Sequence, residues 1–256
     1  MRKVNIIIWK ICLCFFILVV NGNLPKKIFG GEDTSIVKYP YHVSVQYHNY
    51  HFCNGAIISQ YHILTAANCV MADRYVVYAN IQVLSKTDQL KPSYNDLRKI
   101  YQVAYVIFHE GYDPYNNWIN DIAILKLSSE INFSVLSKAV SMPTKTPSNT
   151  VRVTGWGINP VTGIMTNELQ RLFVETMASS NCVKKFRDHT FLRASQHCLI
   201  TKQNSQLTQG NGGCPVMAGQ RIIGIVSFIP YYKKDPVIFT YVYSYVKWIE
   251  EMKRKI

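Results

Sequence analysis

From residue 28 to about 240 the chain is a succession of short β-type runs, closed by a single helical pattern. Tyr41-His-Val-Ser-Val-Gln-Tyr47 and Val151-Arg-Val-Thr154 alternate apolar and polar residues with period two. Tyr75-Val-Val-Tyr78 does not alternate, but its β-branched and aromatic residues favour a strand. Polar stretches rich in Lys, Asp, Ser and Pro separate such runs, around residues 85–95 and again from Pro143 to Asn149. Only the tail looks helical, with Val242, Val246, Ile249 and Met252 near helical spacing. Many strands and one terminal helix predict an all-β barrel or sandwich protein. The Pro143–Asn149 stretch is the best candidate for a junction between two halves. At 256 residues and 48% hydrophobic content the chain can bury a sizeable core.

The N-terminus reads as an export signal. Arg2 and Lys3 precede the apolar run Ile11–Val20, which ends at Asn21-Gly22. Lys10 leaves that run shorter than the roughly 20 residues of a spanning helix, so a secreted, extracellular chain with no membrane segment is expected. Cys12 and Cys14 leave with the signal, and Cys53, Cys69, Cys182, Cys198 and Cys214 remain. An odd count in an oxidising compartment means pairs plus one thiol, and spacing alone leaves the pairing open. Five of the 28 basic residues and none of the 15 acidic ones precede Ile28, which leaves a formal +8 for the rest. Basic residues cluster at Lys184, Lys185 and Arg187, at Lys233 and Lys234, and at Lys253, Arg254 and Lys255. These suit acidic partners, an acidic polysaccharide among them, although solvated charge is the simpler reading. No base-reading motif or aromatic platform accompanies them, so nucleic acid is not an expected partner.

Seven segments, in order, carry a family resemblance. They are Ile28-Phe-Gly-Gly31 after Lys27; His51-Phe-Cys-Asn-Gly-Ala-Ile-Ile-Ser59 with Leu64-Thr-Ala-Ala-Asn-Cys69; Asn120-Asp-Ile-Ala-Ile-Leu-Lys-Leu127; Val153-Thr-Gly-Trp-Gly157; Gln209-Gly-Asn-Gly-Gly-Cys-Pro215; Gly224-Ile-Val-Ser-Phe228; and Tyr245-Val-Lys-Trp-Ile249. Together they resemble the trypsin- and chymotrypsin-like serine proteases. The resemblance implies two six-stranded antiparallel β-barrels with a C-terminal α-helix and a cleft between the barrels. It implies a signal peptide at 1–22, a short propeptide at 23–27 and one domain at 28–256, with barrel 1 at about 28–142 and barrel 2 at about 143–240.

The resemblance also assigns the site. Asn68 stands at the histidine position, Asp121 at the aspartate and Gly212 at the serine. A carboxamide has no basic nitrogen near neutral pH, and glycine offers no nucleophile. Losing such a triad costs on the order of 10⁶ in kcat. The expectation is therefore a proteolytically inactive homologue and no enzyme. Asn211 stands where an aspartate would pair with the ammonium released by a cut at Lys27–Ile28, and an amide pairs more weakly. Ile229 and Val237 stand where the pocket walls are glycines, with Gln206 at its base, so a blocked specificity pocket is expected. The implied bridges are Cys53–Cys69 and Cys182–Cys198, leaving Cys214 unpaired. Asn132-Phe-Ser134 is a glycosylation sequon. No metal or cofactor is expected.

A narrower resemblance, on Ile28-Phe-Gly-Gly-Glu-Asp-Thr-Ser-Ile-Val, Tyr39-Pro-Tyr-His-Val-Ser-Val-Gln-Tyr and the Asn68/Gly212 pair, is to inactivated protease paralogues of parasitic mites, similar to the group 3 mite allergens. It implies a secreted protein that acts by binding host proteins, complement components among them. The alternatives are a regulatory cofactor of a protease cascade, a basic glycosaminoglycan-binding homologue, or a hydrolase using unconventional groups. His42, His48, His51, His62, His109, His189 and His197 are expected at the surface or as satisfied structural residues.

Overall fold

A computed structural model describes residues 28, 30–73, 76–77, 80–94, 96–143, 150–185, 192–201, 205–230 and 236–255. Residues 1–22, expected to be an export signal, and residues 23–27, Arg187, His189, Lys233 and Lys234 lie outside the described residues. The strands in chain order are β1 (Glu32–Asp33), β2 (His42–Tyr47), β3 (Tyr50–Ile57), β4 (His62–Thr65), β5 (Met71–Asp73), β6 (Val76–Val77), β7 (Ile81–Ser85), β8 (Lys99–Phe108), β9 (Ala123–Leu127), β10 (Thr150–Gly155), β11 (Gln170–Met177), β12 (Gln196–Ile200), β13 (Pro215–Ala218), β14 (Arg221–Phe228) and β15 (Val237–Tyr241). The helices are the single turn α1 (Ser179–Cys182) and the terminal α2 (Val246–Lys255).

The first barrel closes in the order β2-β3-β4-β9-β8-β7. The second runs β11-β10-β13-β14-β15-β12 and closes through the pairing of β11 with β12, while β1 adds to its β11 edge. All ladders are antiparallel, and closure removes the open edges that would recruit other chains. Val43, Val45, Ile63, Leu64, Ile124 and Leu125 fill the first barrel. Val153, Val174, Leu199, Val216, Val226 and Phe239 fill the second. Each such side chain contributes roughly 2 kcal/mol of burial.

The tail is helical as its spacing predicts, with a 3₁₀ turn over Val242–Tyr245 leading into α2. Val242, Tyr245 and Ile249 pack into the first barrel's core, although β15 just before them belongs to the second. The tail therefore ties the barrels together.

The alternation in β2 has an outcome that a period-two pattern does not show. Its apolar residues face the barrel core, yet His42, Ser44 and Gln46 are buried as well. Their face of the strand turns towards the second barrel, where polar side chains find polar partners in place of water.

Candidate active-site region and inter-barrel seam

Asp121 sits just before β9 and is fully buried. Burial is the largest influence on its carboxyl and raises it to about 6, against hydrogen bonds from Ser227, Asn68 and Ala67 that favour the charged form. Asn68 lies on the 3₁₀ turn after β4 and donates to it twice. Its backbone N–H reaches Oδ1 at 2.8 Å and its side-chain Nδ2 reaches Oδ2 at 2.7 Å. The same amide donates to the Ser227 carbonyl at 2.8 Å, while the Ser227 hydroxyl donates to Asp121 at 2.5 Å. The carboxylate thus accepts from both neighbouring barrels. Beside Ser227, the Phe228 ring stacks on Trp118 with centroids 4.5 Å apart.

The loop at 209–213 approaches from the second barrel. A β-carbon built on Gly212 would lie 3.1 and 3.2 Å from the sulfurs of the Cys53–Cys69 bridge and 3.8 Å from Asn68 Oδ1. Asn68, Asp121 and Gly212 are therefore brought together. Gly212 carries no hydroxyl into the cleft, and Asn68 presents an amide that is no base. A second bridge joins Cys182 to Cys198, and Cys214 is a buried free cysteine whose thiol burial pushes well up.

Both ends of the Asn211 amide are used inside the second barrel. Nδ2 donates to the Trp156 carbonyl at 2.8 Å, and Oδ1 accepts from the Thr208 N–H at 2.8 Å. Ile28 is fully buried among Val153, Leu172 and Cys214. Val237 is buried in that same cluster, Ile229 packs against it, and Gln206 is partly buried. Asn132 is exposed.

The seam between the barrels rests on a residue that the sequence did not single out. Asn54, on β3, donates through Nδ2 to the carbonyls of Gly210 and Trp156 at 2.7 and 3.3 Å, and its Oδ1 accepts from the Trp156 N–H at 3.0 Å. Its backbone N–H also donates to the Gly212 carbonyl at 2.8 Å. The signal available in sequence was one amide inside the otherwise apolar run Phe52–Ile58.

Two histidines complete the seam, His42 fully buried and His51 partly buried, and both are satisfied by hydrogen bonds. The His42 Nε2 lies 3.0 Å from Asn54 Oδ1, an acceptor, so this nitrogen carries the proton and Nδ1 accepts from the Thr154 hydroxyl, also at 3.0 Å. His51 Nε2 donates to the Gly210 carbonyl at 3.2 Å, so its Nδ1 accepts from Ser44 at 2.8 Å. Desolvation lowers His42 to about 3 and His51 to about 4. Both rings pack on Trp156.

Two antiparallel six-stranded barrels with such a site between them define the serine-protease class, and comparison with known proteins agrees. The family model described as Trypsin matches residues 28–249, so the chain belongs to the trypsin family. It is similar to chymotrypsin-2 of Vespa crabro, at 33% identity over 88% of this chain and 99% of that one. Trypsin alpha-4 of Lucilia cuprina is 28% identical over 89% of this chain and 88% of its own, and trypsin alpha of Drosophila erecta is 28% identical over the same shares.

These findings correct the expectation that the chain is not an enzyme. The family and all three relatives are named for proteases, and β2 supplies a histidine and a serine close to the site. His42 reaches the 210–212 loop through Asn54, and Ser44 reaches it through His51. The losses at Asn68 and Gly212 describe two positions; they do not decide the class of the whole chain.

Proposed function

We propose that this trypsin-family domain is exported and acts on host proteins by binding them, complement components included. One observation carries the reading: the Asn68 amide spans Asp121 and Ser227, so the centre of the cleft is tied together by hydrogen bonds between its own side chains. A preorganised face of that kind loses little freedom on association. Export is supported by two disulfides, and no described helix is long and apolar enough to cross a membrane. The choice of complement rests on the resemblance to mite paralogues, and a glycan at Asn132 belongs to the same proposal.

The exposed loops supply anchors. A groove of about 660 Å³ lies between the β2–β3 hairpin, the 90–92 segment and the 159–167 loop, lined by Tyr50, His51, Leu90, Pro92, Ile164 and Met165. Tyr50 is 79% exposed at the hairpin tip and Ile164 is 68% exposed across from it. A rigid aromatic beside an apolar groove suits a protein hot spot. The test is capture from host plasma on the immobilised protein. The proposal predicts enrichment of complement components, reduced by Tyr50→Ala, and gels of the captured material report whether any is cleaved. Capture of no complement component would refute it.

A further inference from the structure

The outer face of β10 and β11 carries a set of cations that the cleft does not use. Arg152 pairs with Phe173 across the ladder and Arg171 pairs with Thr154, so both arginines and Phe173 project from one face. The Arg152 guanidinium lies 5.4 Å from the Tyr39 ring, and that of Arg171 lies 5.4 Å from the Phe173 ring. Arg171 also donates to the Tyr39 hydroxyl at 3.4 Å. Lys138, whose backbone N–H bonds the Pro40 carbonyl, is exposed beside Tyr39. Arg221 is exposed where β14 leaves the turn whose Gly219 carbonyl accepts from Arg152.

Arg152 has unmet hydrogen-bonding capacity. Its Nη2 donates to that one neutral carbonyl, its Nε is buried without an acceptor, and no ion pair to it forms among the described residues. The Tyr41 hydroxyl is buried beside it, and the guanidinium favours the ionised phenol against the burial that pushes it up to about 12. Among the described residues, Glu32 pairs with Arg171 at 2.7 Å, and Glu175 is exposed further along β11. The basic cluster on α2 differs, because Lys253 and Lys255 are paired with Glu250 and Glu251. Phe173 is 48% exposed and offers a ring face between the cations. Cations flanking an exposed ring fit a ligand that alternates sulfate groups with the flat faces of sugar rings.

We propose that this face, centred on Arg152, Arg171 and Phe173 with Lys138 and Arg221 at its edges, binds a sulfated polysaccharide. It does not depend on the protein partner, so either proposal can fail alone.

A heparin oligosaccharide titrated into the mature protein at several salt concentrations tests it. Binding should weaken steeply with salt, and desulfated heparin should not bind. Arg152→Gln with Arg171→Gln should lower affinity about tenfold or more and make the salt dependence shallower. Glu32→Gln should tighten binding, and Lys253→Ala with Lys255→Ala should leave it unchanged. If the arginine variant melts early, Phe173→Glu decides, since this exposed side chain sets a like charge to the ligand within the patch, and binding should be lost. No binding, equal binding of desulfated heparin, loss only in the α2 variant, or full affinity in Phe173→Glu would each overturn the proposal.

Discussion

Asn68 and Asp121 show how one side chain can satisfy a buried charge without supplying a base. The carboxylate has no access to water, and two of its donors come from Asn68. Asn68→Ala keeps the backbone donor and removes the amide, leaving Asp121 and the Ser227 carbonyl short of a partner. The expected loss is about 2 kcal/mol in chemical denaturation, and Asn68→His should recover part of it by donating a ring N–H to Asp121. Two adjacent glycines should behave differently. Gly213 has φ +72°, and a β-carbon there would come 2.1 Å from the Asn54 carbonyl oxygen, so Gly213→Ala should cost on the order of 3 kcal/mol or abolish folding. At Gly212 the same carbon meets the sulfurs at 3.1 and 3.2 Å and Asn68 Oδ1 at 3.8 Å, and Gly212→Ala should cost about 1 kcal/mol or less.

At the scale of elements, the β2–β3 hairpin binds the two barrels through Asn54, His42 and His51. Both histidines are neutral when folded, at about 3 and about 4 against an ordinary 6.5. The unfolded chain takes up those protons first, so folded stability is complete above about pH 6.5 and falls as pH drops towards 4. Asp121 acts in the opposite sense, because a carboxyl raised to about 6 from 3.8 favours the folded state as pH falls through the same window. The two histidines together are displaced further than the one carboxyl, so net stability should fall by a few kcal/mol between pH 6.5 and 4. Denaturation midpoints across that range measure it, and His51→Gln should flatten the curve; a midpoint constant or rising towards pH 4 would contradict this reading.

The period-two runs, the helical tail and the ordered segments made the barrels legible, because these signals are local along the chain. The seam was not legible. The polar side of β2 looks solvent-facing until the second barrel covers it, and Asn54 looks incidental until Gly210, Gly212 and Trp156 arrive from more than 100 residues away. Asn68 beside Asp121 was read only through the family resemblance, and the same reading carried the expectation of no enzyme too far.

At the scale of the whole molecule, two closed barrels fix loops around a cleft, and the terminal helix packs back on the first barrel. On the proposed function, this surface binds complement components. A stoichiometric binder must be present near or above its dissociation constant, so its effect scales with the amount of its partner. A haemolytic assay with purified protein, repeated at several serum dilutions, tests this. Lysis should be suppressed at about micromolar protein, with the half-effective concentration rising in proportion to the complement present. Lysis unchanged at that concentration at every dilution would overturn the proposed function.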